Sequence, residues 1–438
     1  MNLLKDNWTY AKVSDFAELL RGISYKKDES RKESQKGYKP MLRSNNINYE
    51  LNFIDLVYVP EKKIKSIQFI KEGDIIFAMS SGSKHLVGKS AQSKCNYDGS
   101  YGAFCGLLRV SNLMNKKYVG LFFKSQEYRK YISRISKGTN INNLKRDYIL
   151  EIDFPLAPLN EQTRIVEKIE ELFSDLDKAT EDLKKTQEQL KIYRQAVLKA
   201  AFEGKLLEMG LAKYSPFSEI CDINPSKQEI GELNDDLEVT FLPMLAVSKT
   251  GVILEKNIKR LKDVKKGYTF FKNGDVLLAK ITPCFENGKK AIVKELKNNI
   301  GFGSTEFHVL RPKEEVISEW IYYGVSLEDF RNKAKSQMTG TAGQKRVPKR
   351  VLESYAIPIP TKPIQEKIVK EIESRLSVCD KVEKTVEQNL SKIEYLRQSI
   401  LKKAFEGKLV SQDSNDLPAG ELLKQIKIKK DKMSKNGK

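Results

Sequence analysis

Arg194-Gln195-Ala196-Val197-Leu198-Lys199-Ala200-Ala201-Phe202-Glu203-Gly204-Lys205-Leu206 returns later in the same chain as Arg397-Gln398-Ser399-Ile400-Leu401-Lys402-Lys403-Ala404-Phe405-Glu406-Gly407-Lys408-Leu409. The match extends further: Pro155 to Leu207 aligns without a gap on Pro358 to Val410, and roughly 19 of about 53 positions are identical, far beyond chance. Ahead of these blocks the correspondence thins to a skeleton. Pro40-Met41-Leu42 matches Pro243-Met244-Leu245, Phe69 to Asp74 matches Phe270 to Asp275, and Gly138-Thr139 matches Gly340-Thr341. The order is divergent, similar, divergent, similar: one half-unit used twice.

Each similar block reads as one long helix. Ile165, Ile169, Leu172, Leu176, Ala179, Leu183, Leu190, Tyr193 and Val197 fall on alternating four-and-three spacing, interrupted only by Thr186. The second block keeps the seam through Ile368, Ile372, Cys379, Val382, Val386, Ile393, Leu396 and Ile400, with Arg375 and Asn389 as polar exceptions. Asn160 is placed to cap the first helix, and Gly204 and Gly407 suit the left-handed residue that follows a helix end. Each seam wants one partner, so the two helices are predicted to pair antiparallel, a ruler of up to roughly 60 Å.

The predicted fold class is mixed α/β (α+β): two globular domains separated by a pair of long antiparallel coiled-coil helices, with a pseudo-two-fold internal repeat. The expected boundaries are 1–154 and 209–357 for the divergent domains, 155–208 and 358–411 for the helices, and 412–438 for a basic tail, with Lys424 to Lys438 expected to fray. Asp74 to Met79 and Asp275 to Lys280 read as buried strands after Gly-Asp turns. Lys116 to Ser136 and Glu314 to Gln337 read as amphipathic helices.

A length of 438 residues suits several domains, and 40% hydrophobic with 31% charged residues fits a globular protein. The formal charge of +20 draws polyanions and adds counterion release to any nucleic-acid contact. No run of about 18 apolar residues and no signal-peptide pattern is present, so a membrane is excluded and the cytoplasm is expected. The five cysteines are scattered without a Cys-x-x-Cys pair, which argues against a disulfide framework or a zinc finger.

Catalytic motifs fail one after another. Gly82 to Ser90 resembles a phosphate-binding loop but holds five residues between its glycines where four are needed, and Glu286 to Lys290 lacks the magnesium-binding hydroxyl. Asn224-Pro225-Ser226 is only a fragment of an amino-methyltransferase motif. Glu61-Lys62-Lys63 and Glu295-Leu296-Lys297 match the loosest nuclease spacing yet read as solvated faces. The two histidines lie in different halves, without metal-ligand company; His308 reads as core and His85 as a possible DNA contact. No catalytic residue and no metal site is assigned.

The loops after the two strands, Ser80 to Tyr101 and Ile281 to Thr305, carry the candidate DNA contacts: Lys84, His85, Lys89, Lys94 and Tyr101 in the first, Lys280, Lys289, Lys290, Ser304 and Thr305 in the second. Arg43, Ser44, Asn45 and Asn46 join them, because Arg reads guanine and Asn reads adenine by bidentate hydrogen bonds. For each single lysine, a solvated surface is the competing reading.

Pro155-Leu156-Ala157-Pro158-Leu159-Asn160-Glu161-Gln162-Thr163-Arg164-Ile165-Val166, the paired Leu-Lys-x-Ala-Phe-Glu-Gly-Lys-Leu elements and Leu417-Pro418-Ala419-Gly420-Glu421-Leu422-Leu423 give the chain, over essentially its whole length, a form that resembles the type I restriction-modification specificity subunits. The resemblance implies that the divergent blocks are target-recognition domains, each reading one half of a bipartite asymmetric site on double-stranded DNA. It implies that the helices fix the unread spacer and dock two methyltransferase subunits, with restriction/translocase subunits completing the complex. S-adenosylmethionine, ATP and Mg²⁺ are then expected on partner subunits, and none on this chain. Gln162, Ile165, Arg194 and Phe202, with Gln365, Ile368, Arg397 and Phe405, are the expected partner-binding positions on the helices. Two departures make the partner sites unequal: Pro363-Ile364-Gln365 replaces the Asn-Glu-Gln step, and the first repeat lacks the Leu-Pro-Ala-Gly-Glu-Leu-Leu element. The competing readings are a coiled-coil DNA-binding adaptor outside restriction-modification, an enzyme with an unrecognised site, and a scaffold indifferent to DNA.

Overall fold

A computed structural model describes residues 5–48, 50–80, 86–137, 143–207, 212–341 and 343–436. They form two compact units: Met1–Asp182 with Asn389–Lys438, and Leu183–Gln388. Each unit contains one divergent domain, part of each long helix, and its own core.

In the first unit a four-stranded sheet runs in the order Ala17–Arg21, Cys105–Val110, Ile75–Ala78, Ser90–Gln92. A three-stranded sheet, in the order Val57–Pro60, Tyr38–Leu42, Ser100–Tyr101, stands beside it. The second unit repeats the plan with Cys221–Ile223, Phe307–Pro312, Val276–Ala279, Lys290–Ile292, and with Asn257–Arg260, Glu238–Leu242, Ile300–Gly303, Thr269–Lys272. Strands Ile75–Ala78 and Val276–Ala279 are buried at all their positions, as continuous apolar runs should be.

The Gly-Asp turns ahead of those strands show why the skeleton recurs. Gly73 and Gly274 adopt φ of 83° and 86°, which a Cβ would strain. The following carboxylates, Asp74 and Asp275, each accept the backbone N–H three residues back at 2.7 Å. Arg109 grips Asp74 by two bonds of 3.0 and 2.6 Å, and Arg311 grips Asp275 by two of 2.9 Å. Such fork-to-carboxylate pairs fix geometry as well as charge.

Antiparallel ribbons lead into the long helices: Thr9–Lys12 pairs with Asp153–Leu156, and Lys213–Pro216 with Ala356–Ile359. Each helix runs 44 residues, Leu159–Phe202 and Lys362–Phe405. In each unit the early part of one helix lies against the late part of the other, so the pairing is antiparallel. Arg397 donates to Asp177 at 2.7 Å in the first unit; Arg194 donates to Asp380 at 2.6 Å and Glu383 at 2.8 Å in the second. Gly204 and Gly407 end the helices at φ of 71° and 70°.

Four readings need correction. Asn160 is not a cap, because the first helix already begins at Leu159. The amphipathic segments are each broken in two, Lys116–Phe122 with Gln126–Lys137 and Ser318–Gly324 with Glu328–Ser336. The end of the chain is helical over Ala419–Asn436, and Leu422 and Ile426 enter the first core, so burial of that apolar stripe overrides the lysine-rich composition. The Ala419 N–H donates to the Asn7 carbonyl, and Arg164 pairs with Asp416 at 2.6 Å. Finally, Pro40-Met41-Leu42 does not correspond to Pro243-Met244-Leu245. Leu42 and Leu242 are the equivalent strand ends, paired with Tyr101 and Gly303, whereas Met244 and Leu245 lie beyond the strand. Gly138-Thr139 lies outside the described residues.

Candidate nucleic-acid interface

Immediately after the strands Tyr38–Leu42 and Glu238–Leu242 the chain makes one 3-10 turn, Ser44–Asn46 in the first unit and Met244–Ala246 in the second. The first turn is braced from within. The buried Asn46 side chain accepts the Arg43 N–H at 2.9 Å and donates to the Ile54 carbonyl at 2.8 Å. Arg43 donates to the Asp55 carbonyl at 2.6 Å, so its guanidinium is committed to the loop and is a weak candidate for guanine. Asn45, between these anchors, is exposed.

The second turn is braced by a small hairpin. Val247 bridges Ile253, the Ser248 N–H donates to Val252, and the Leu254 N–H donates to Ala246. Leu245 at its tip is 82% exposed, with Leu254 at 67% and Val252 at 55%. A hydrophobic side chain left that open on a rigid turn is the residue that sequence reasoning missed. The Pro-Met-Leu match had paired Leu245 with the buried Leu42.

In both units a lysine from the basic loop reaches this turn region. Lys89 donates to the Asn48 side chain at 3.3 Å, and Lys289 to the Met244 carbonyl at 3.1 Å. These lysines are equivalent, since the Ala78 and Ala279 N–H groups donate to their carbonyls. Lys89 and Lys289 therefore stand beside the turn region in each unit.

The remaining candidates sort by burial. Lys94 is exposed and paired with Glu50 at 2.6 Å, and Thr305 is exposed. Ser304 and Lys280 are half-buried, and the Ser304 hydroxyl accepts the Glu306 N–H at 3.2 Å, which stiffens the loop. Lys290 does not join the surface: its ammonium lies 4.7 Å from the Tyr322 ring centroid, and burial pushes it down to about 8. Tyr101 is wholly buried and cannot reach DNA in this arrangement, because its strand is covered by its neighbours. Lys84 and His85 lie outside the described residues. His308 is a core residue, as its apolar flanks implied. Its Nε2–H donates to the Val347 carbonyl at 2.8 Å, Nδ1 accepts from Asn224, and burial pushes the imidazole down to about 4.

The helix positions expected to meet partners are mostly turned inward. Gln162 and Gln365 are fully buried, and each bonds backbone groups of its own domain. Ile165 and Ile368 are fully buried, Phe202 stacks on Trp320 at 4.4 Å, and Phe405 packs on Tyr118 at 5.2 Å. Arg194 and Arg397 are spent on the helix pairing described above. Among the apolar side chains the helices leave open, Ile192 and Tyr193 at 70% and 45% exposure and their repeat equivalents Tyr395 and Leu396 at 73% and 38% form a repeat-related pair, whereas Leu159, Val378 and Val382 are open in one copy only. Tyr193 and Leu396 are seam positions by spacing, yet they stay partly uncovered.

Among the described residues no group of three or more His, Cys, Asp or Glu side chains could hold a metal ion, and no helix is long and apolar enough to cross a membrane. The described cysteines are free thiols.

Two differently tipped copies of one scaffold, each joined to an antiparallel helix pair, define a family. The chain belongs to the type I restriction modification DNA specificity domain family, whose model matches it twice, over residues 5–191 and 212–392. It is 32% identical to the type I restriction enzyme EcoKI specificity subunit of Escherichia coli strain K12 and 31% identical to the StySPI specificity subunit of Salmonella potsdam. Each alignment covers 98% of this chain and 96% of the relative. A chain solved in work on complex assembly and conformational transition of the type I R-M system superposes with a TM-score of 0.69 at 17% identity, over 93% of this chain and 100% of the other, a likeness of fold. An adaptor outside restriction-modification finds no support in these matches.

Proposed function

We infer that the chain is the non-catalytic DNA sequence-specificity subunit of a cytoplasmic type I restriction-modification complex. Each domain, 1–154 and 209–357, reads one half of a bipartite asymmetric site on double-stranded DNA, and the helices set the unread spacer. The observation that carries this reading is the pair of equivalent 3-10 turns with unlike tips, each backed by an equivalent lysine. A common scaffold bearing different tips is what two different half-sites require.

Two methyltransferase subunits dock on the repeated helical regions, and restriction/translocase subunits join them. Catalysis, S-adenosylmethionine, ATP and Mg²⁺ belong to those partners. The exposed pairs Ile192-Tyr193 and Tyr395-Leu396 are repeat-related and apolar, and so suited to receive two copies of one partner. Charge supports the DNA partner, since +20 favours a polyanion at any separation within the Debye length.

The test is genome-wide mapping of methylated bases in the source cell with and without this gene. Loss of methylation at one bipartite asymmetric motif is the expected result. A pattern unchanged by deletion, with the methyltransferase genes expressed, overturns the reading.

A further inference from the structure

We propose that positions 45 and 245 are matching base-reading tips with opposite chemistry: Asn45 reads an adenine edge by hydrogen bonds, and Leu245 reads a thymine methyl group by apolar contact. This rests on the function inferred above and assigns to the second half-site a thymine at the base pair the tip meets.

Both residues are the middle residue of the 3-10 turn that follows the strand paired parallel to Ser100–Tyr101 or Ile300–Gly303. In both units the following residue is buried, Asn46 at 1% and Ala246 at 4%, while the middle residue is exposed. In both, a lysine from the basic loop is hydrogen-bonded to the turn region. The backbone therefore offers the same place twice and fills it with different side chains.

Chemistry selects the occupant. Leu245 has neither donor nor acceptor, so it cannot read a base by hydrogen bonding. The apolar group that distinguishes bases in the major groove is the thymine C5-methyl. The tip is apolar beyond one residue, because Leu254, bonded through its N–H to Ala246, is 67% exposed. Around it the surface is basic, with Lys249 exposed and Lys289 tied to the turn, which suits a phosphate-lined groove. Asn45 on the same turn has the amide that pairs bidentately with adenine N6 and N7.

The experiment uses the full chain co-expressed with the methyltransferase of its source cell. The methylated motif is read first, and the purified complex is then titrated with duplexes carrying that motif. Replacing thymines one at a time by deoxyuridine removes only the methyl group; replacing adenines by 7-deazaadenine removes one acceptor. Wild type is expected to lose about threefold to fivefold in affinity for one deoxyuridine duplex in the second half-site, the worth of one buried methyl. Leu245→Ala is expected to be indifferent to that replacement while still discriminating the first half-site. Asn45→Ala is expected to lose about tenfold in discrimination at one adenine of the first half-site and to ignore its 7-deaza replacement. A wild type indifferent to every deoxyuridine, or a Leu245→Ala variant with the same penalty as wild type, overturns the proposal. So does a uniform loss of affinity that singles out no base. If no bipartite motif depends on the chain, the inferred function fails; if one does and the variants behave as wild type, only the tip assignment fails.

Discussion

Replacing Gln365 by Ala is expected to damage the second unit without touching any partner surface. The Gln365 amide nitrogen donates to the Pro360 carbonyl at 2.8 Å and the Glu315 carbonyl at 3.0 Å, and its oxygen accepts the Ile317 N–H at 3.1 Å. It thereby ties the start of a long helix to the segment ahead of Ser318–Gly324. Truncation leaves these backbone groups unpartnered. At about 1 kcal/mol net for each bond, and more where water cannot replace it, the loss is about 3 to 5 kcal/mol. In a unit of this size 1 kcal/mol moves the midpoint by about 2 to 4 °C, so its transition should fall by roughly 6 to 20 °C. Calorimetry of the full chain reads this directly, and Gln162→Ala should shift the other unit's transition instead, since Gln162 makes the same kind of bonds there. A Gln365→Ala melt within 2 °C of wild type, paired with failure to assemble, would refute the structural role and restore a partner contact.

Three further outcomes are expected. His308 is held neutral, with its folded value about 4 against an ordinary 6.5; its contribution to stability is therefore fully present above about pH 6.5 and falls by up to about 3 kcal/mol between there and pH 4, a component of the acid slope that His308→Gln should remove in denaturant titrations of the full chain. Arg194→Ala and Arg397→Ala each remove ion pairs whose acidic partners are largely exposed, so each should cost no more than about 1 kcal/mol and should cost less in high salt, by thermal melts at two ionic strengths. Phe202→Ala should cost about 3 to 5 kcal/mol by loss of its stack on Trp320, whereas Tyr395→Ala should leave the melt unchanged and weaken partner assembly on size-exclusion chromatography.

The long helices were legible because an amphipathic seam and a glycine stop are local signals, and their pairing followed from each seam having one plausible partner. The Gly-Asp turns were legible for the same reason: Asp74 and Asp275 bond the backbone three residues away. Burial that depends on distant segments was not legible. Gln162 and Gln365 look like surface residues on a helix, and only contacts some 50 residues back in the chain turn them inward. Tyr101 offered a hydroxyl beside lysines, but its strand is enclosed. The three-residue slip that matched Leu245 to Leu42 hid the exposed tip, because an identical triplet carries no register when one copy is in a strand and the other beyond it.

The first unit is discontinuous, made of Met1–Asp182 and Asn389–Lys438, while the second is the single segment Leu183–Gln388. On the ribosome this reverses the usual order of completion. Leu401, Ala404, Phe405, Leu422 and Ile426, which belong to the first core, are synthesised last. At about 5 to 20 residues per second, Tyr118, Phe122, Ile165 and Ile169 wait on the order of ten to fifty seconds for their cover. The domain whose chain emerges earlier is thus the one whose core is completed later, because Phe405 covers Tyr118 and Phe122 only once the second unit has been translated.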